Sequence, residues 1–102
     1  MKLLMVTSLR EYQQKVVKIF EQTGIKVFSV TETTGFKENG FQGIMEGWYA
    51  GGIGHYDSVF LFSFTEDGNA ANAMELIKAY NAGSECEFPI RAFIIPVEKS
   101  SY

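Results

Sequence analysis

With 102 residues, 46% of them hydrophobic, the chain is about one domain long and has enough apolar mass for a small core. A net charge of −3 and a sequence isoelectric point near 5.1 leave no basic field, which argues against nucleic acid and anionic membrane as partners. The single cysteine, Cys86, excludes an internal disulfide, and the apolar run Leu3 to Val6 is too short for a signal peptide or a membrane span, so a cytoplasmic protein is expected.

Leu3 to Thr7 reads as a short buried strand, and Ser8-Leu9-Arg10-Glu11 has the Ser-x-x-Glu form of a capping box that opens a helix. Tyr12, Val16, Ile19 and Phe20 recur at helical spacing and share one face, with Gln13, Gln14, Lys18 and Glu21 on the wet side. Gly24 is placed to end this helix, since glycine takes the left-handed C′ conformation without strain. Ile25 to Thr33, rich in β-branched and aromatic residues, predicts a second strand with Phe28 and Val30 on one face and Ile25 and Val27 on the other. Ser58 to Thr65 predicts a third, with Phe60, Phe62 and Phe64 on one face and Val59 and Leu61 opposite. Asp67 is positioned to cap a second helix, whose apolar side is Ala70, Ala73, Met74, Ile77 and Tyr80 and which stops at Asn81-Ala82-Gly83. Ile90 to Val97 predicts the fourth strand, and Pro96, with no amide hydrogen to give a ladder, puts it at a sheet edge.

The order strand, helix, strand, loop, strand, helix, strand makes two similar βαβ units. It predicts one α+β domain over residues 1–102, a ferredoxin-like βαββαβ fold with a four-stranded antiparallel sheet and both helices on one face. Apolar residues on both sides of the third and fourth strands imply that another copy of the chain buries the helix-free face, so a closed homo-oligomer is expected. Between the second and third strands, about Gly35 to Tyr56, lie seven of the ten glycines: Gly35, Gly40, Gly43, Gly47, Gly51, Gly52 and Gly54. Long loops in compact domains usually carry function.

Several segments resemble the PII-like signalling superfamily. Lys2 to Thr7 is similar to its first strand, and Gly24-Ile25 followed by Ser29-Val30-Thr31-Glu32 and Gly35-Phe36 resembles its second strand and turn. Phe93-Ile94-Ile95-Pro96-Val97-Glu98 resembles its closing strand. The resemblance implies a homotrimer, a small-molecule effector in the cleft between subunits, and a T-loop of about residues 37–56 that reports occupancy to a protein partner. The expected partner is a membrane transporter, and no enzymatic activity is implied. On the matching positions Gly35, Phe36 and Lys37 form the cleft edge, Arg91 supplies positive charge, and Trp48 and Tyr49 meet the partner.

The chain departs from the nucleotide-binding members at defined places. Where they carry a Gly-Asp-Gly-Lys turn, whose amides and ammonium meet phosphates, this chain has Phe88-Pro89-Ile90-Arg91. It also lacks their basic Arg-x-Arg tail and their modified-tyrosine motif, so Tyr49 is not read as a modification site. An adenine nucleotide is one option for the ligand and a transition metal another. Glu46-Gly47-Trp48-Tyr49 is similar to the Trp-containing hairpin of CutA-type trimers. The stretch from Asn81-Ala82 through Pro89-Ile90-Arg91, with Pro96-Val97-Glu98-Lys99, resembles small PII-like chains associated with metal-efflux pumps. The alternative function is therefore a metal-binding or metal-responsive trimer linked to heavy-metal efflux or tolerance.

His55, the one histidine, and Cys86 are the candidate metal ligands, because imidazole and thiolate suit zinc and copper and a trimer multiplies each donor by three. The plainer reading of His55 is a solvated loop residue. Cys86 lies between Glu85 and Glu87, whose carboxylates disfavour a nucleophilic thiolate. Trp48 and Tyr49 either anchor a partner or pack back on the oligomer. A ferredoxin-like small-molecule enzyme is the third reading, but the chain has no recognisable Ser-His-Asp set, no Walker-type Gly-Lys-Ser/Thr and a single near-neutral base.

Overall fold

A computed structural model of the chain describes residues 1–37, 54–83 and 89–101, and for residues 36–37 and 54–56 the backbone alone. The first strand, β1 (Lys2–Leu9), buries Leu4 and Val6 completely. It extends through Ser8, which pairs with Val59, and Leu9, which pairs with Ser58. The expected capping box therefore does not form. Ser8 is held extended in the ladder, its Oγ donates to the Leu9 carbonyl at 3.1 Å, and a 3-10 turn, Arg10–Tyr12, precedes α1 (Gln13–Gln22).

Val16, Ile19 and Phe20 form the buried face of α1, as their spacing predicts. The helix ends in a Schellman motif: the Gly24 N–H donates to the Glu21 carbonyl at 3.3 Å and the Ile25 N–H to the Phe20 carbonyl at 3.0 Å, with Gly24 at φ 80°. Because the Ile25 amide closes the helix, residues 25–28 do not join the sheet, and the predicted pairing of faces fails there. Ile25 turns into the core while Val27 is 83% exposed. Phe28 packs edge-to-face on Phe20, ring centroids 5.1 Å apart, and the Ser63 hydroxyl donates to the Val27 carbonyl at 2.7 Å.

Strand β2 (Ser29–Lys37) and strand β3 (Gly54–Thr65) both run further than their composition suggests. Gly35 pairs with Tyr56, Phe36 with His55 and Lys37 with Gly54, so both ends of the expected 37–56 loop are strand. An antiparallel neighbour offers each added residue a ladder bond, which carries the strands through residues of poor intrinsic preference. Helix α2 (Asp67–Gly83) buries Ala70, Ala73 and Ile77. The Glu66 carbonyl takes its first hydrogen bond, from the Ala70 N–H at 3.0 Å, so Asp67 is the first helical residue rather than the cap. There its carboxylate favours the positive helix end and lies 3.4 Å from the Met1 amine. The helix stops at Asn81-Ala82-Gly83, as read from the sequence.

The last strand, β4 (Arg91–Pro96), lies at an edge of the antiparallel sheet, whose order is β2-β3-β1-β4. Each βαβ unit thus has a foreign strand inserted between its own two, which is the α+β ferredoxin-like arrangement. One sheet face, with Leu4, Val6, Val59 and Leu61, is buried in a single core with the apolar residues of α1 and α2. Among the described residues no helix is long and apolar enough to cross a membrane.

Candidate functional site

The ladder defines what the helix-free face carries. Leu3 lies between Phe64 and Ile95, Met5 between Phe62 and Phe93, and Thr7 between Phe60 and Arg91. Toward the Lys2 end the face is apolar, and Phe64, Phe93 and Ile95 are 54%, 39% and 40% exposed. Toward the other end it turns polar: Thr31 stands opposite Phe60, and Thr33 opposite Ser58 with their hydroxyls 2.9 Å apart. Thr7 and Ser58 are buried, and so is Nε of Arg91, which has no hydrogen-bond partner among the described residues.

All four strands meet this polar end with a terminus. The register places the C-terminal ends of β1 and β2 beside the N-terminal starts of β3 and β4, so residues 38–53 are joined at the same end as Arg91. A cleft of about 390 Å³ opens there, lined by Leu9, Arg10, Glu11 and Asp57. Arg10 pairs with Glu32 of β2 at 3.2 Å, and with both side chains half-exposed or more the pair contributes little to stability. A second cleft of about 390 Å³ lies at the opposite end of the sheet, bordered by Lys26, Val27, Phe64 and Asn69.

Gly35 is buried at the end of β2, and the backbone sets Phe36 and Lys37 just beyond it. Arg91 starts β4 on the other edge. Three strand spacings separate those edges, roughly 14 Å, so these ligand candidates share an end of the sheet without meeting in one chain. His55 sits at that end, opposite Phe36 and inside β3 rather than in a loop. Trp48, Tyr49 and Cys86 lie outside the described residues. Among the described residues no three His, Cys, Asp or Glu side chains gather as a metal donor set.

No protein-family profile matches the chain, and no curated protein matches it either. Among solved structures, a candidate PII-like signalling protein from Thermus thermophilus superposes with a TM-score of 0.61 over 91% of this chain and 82% of its own, at 14% identity. The chain has a PII-like fold. The strand order β2-β3-β1-β4 with two helices agrees with that fold. Solved chains that match number 135, so the architecture is a common one and does not select a function by itself.

Sequence reasoning named neither Arg10 and Asp57 of the cleft nor the buried Thr7 and Ser58 as site residues, and it did not foresee the contact made by Asn81. Asn81, read as a helix stop, clamps Ile90: its Nδ2 donates to the Ile90 carbonyl at 2.8 Å, and the Ile90 N–H donates to its Oδ1 at 3.0 Å. An asparagine in the last turn of a helix carries no signal of a partner nine residues on.

Proposed function

We propose that this chain is a non-enzymatic PII-like regulatory protein, a homotrimer that senses a small anionic effector between subunits and controls a protein partner, a membrane transporter on this reading, through residues 38–53. The observation that carries it is the convergence, on one end of a PII-like sheet, of the β2 end, the β3 start and Arg91, whose buried Nε has no hydrogen-bond partner among the described residues. In one chain the strand carrying Arg91 and the strand carrying Gly35, Phe36 and Lys37 are opposite edges about 14 Å apart, so a small ligand contacts both more readily where the Arg91 edge of one subunit lies beside the β2 edge of another. The half-exposed apolar side chains Phe64, Phe93 and Ile95 favour such an assembly, because burying them removes apolar surface from water. An effector that binds one state of the 38–53 segment better than another shifts its population by that difference in affinity.

Sedimentation of the purified chain followed by calorimetric titration with ATP, ADP and AMP tests the reading. A trimer that binds an adenine nucleotide, with affinity lowered about tenfold or more in Arg91→Ala, is the expected result, since hydrogen bonds to charged groups contribute about 1.5–3 kcal/mol. A monomer, or a nucleotide affinity indifferent to Arg91, sinks it.

A further inference from the structure

Ile90 precedes the first rung of the β1–β4 ladder, which is Thr7 opposite Arg91, and its two peptide groups are taken instead by the Asn81 side chain. A primary amide carries an acceptor and donors side by side, so one asparagine serves both groups as a neighbouring strand does. The Ile90 side chain is 2% exposed and belongs to the core. Successive side chains of a strand point to opposite faces, so an Ile90 held in the core sets Arg91 on the helix-free face, and a slip of one residue exchanges the two. Ala92 and Ile94, which pack against the core, keep the same alternation further along β4, so the Asn81 clamp acts where the strand begins, at Ile90 and the first rung.

We propose that Asn81 is the positioning residue for Arg91: by pinning Ile90 to the end of α2 it holds the guanidinium on the polar end of the helix-free face, where an anionic effector is met. The assignment of an anion to Arg91 rests on the function proposed above; the pin itself does not. An asparagine that only closed α2 would leave Arg91 unaffected when removed.

The test is nuclear magnetic resonance on the full chain, reading the Arg91 Nε–H signal and amide exchange. In Asn81→Ala the Arg91 Nε–H signal moves toward that of a solvated arginine, and exchange at Ile90 and Arg91 speeds up about tenfold while the amides of α1 hold their rates. Asn81→Asp keeps the acceptor for the Ile90 N–H and loses the donor, so the same signals change less; it also serves if the alanine variant does not fold. An unchanged Arg91 signal in a folded variant, or exchange raised evenly along the chain, overturns the proposal. Titration with ATP separates the two ideas. If the wild type binds ATP, Asn81→Ala weakens it about tenfold and adds nothing in an Arg91→Ala background; an undiminished effect in that background overturns the pin. A wild type that ignores ATP while Arg91 still responds to Asn81→Ala removes the nucleotide from the proposed function and leaves the pin standing.

Discussion

Phe20 closes α1 in two ways at once: its ring is fully buried against Phe28, and its carbonyl accepts from the Ile25 N–H. Removing the ring leaves a cavity at the meeting of α1 and the 25–28 segment, so Phe20→Ala is expected to cost about 3–5 kcal/mol in urea unfolding. The burial was legible in the sequence, because Tyr12, Val16, Ile19 and Phe20 keep helical spacing. The ring contact was not, because Phe28 reads as one more strand residue until Ile25 is seen turning inward. His55 makes the opposite point. Its residue type suggests a metal, whereas only the ladder puts it opposite Phe36. If the metal-responsive alternative holds, His55→Ala abolishes zinc or copper binding by calorimetry while the oligomer persists; an unchanged isotherm removes His55 as a ligand.

At the scale of elements, periodicity succeeded where an element has its own stop and failed where a neighbour decides. Gly24 ends α1 and Asn81-Ala82-Gly83 ends α2 as expected, since both stops are local chemistry. The Ser8 capping box failed because pairing of Leu9 with Ser58 keeps Ser8 in the sheet. The β2–β3 pair outran its composition for the same reason. Its two faces differ: Val59 and Leu61 are sealed by the helices, whereas Phe60, Phe62 and Phe64 share the other face with Met5 and Phe93. A carboxylate on the β4 edge of that second face tests whether another copy covers it. Phe93→Glu is expected to give a folded monomer by sedimentation, with helical circular dichroism kept, because Phe93 is outside the buried core yet would meet apolar surface in an assembly. An oligomer that tolerates Phe93→Glu places its interface elsewhere.

For the molecule as a whole, the described helices cover one sheet face and leave Phe64, Phe93 and Ile95 of the other partly exposed, and the assembly proposed above would couple folding to concentration. The thermal midpoint of the wild type is therefore expected to rise with protein concentration and to lose that dependence in Phe93→Glu; a midpoint independent of concentration in both argues for a monomer. The sequence by itself determined the fold class, the strand and helix order, the buried helix faces and the edge position of β4, because hydrophobic period, glycine stops and Pro96 act over a few residues. Only the tertiary structure decided where β2 and β3 end, that Ser8 and Ile25 serve a ladder and a Schellman motif, that Arg91 joins Thr7 and Phe60 in one row, and that Asn81 holds Ile90. Each of these depends on which distant segment supplies the second half of a hydrogen bond, and a backbone group looks the same in the sequence whoever its partner is.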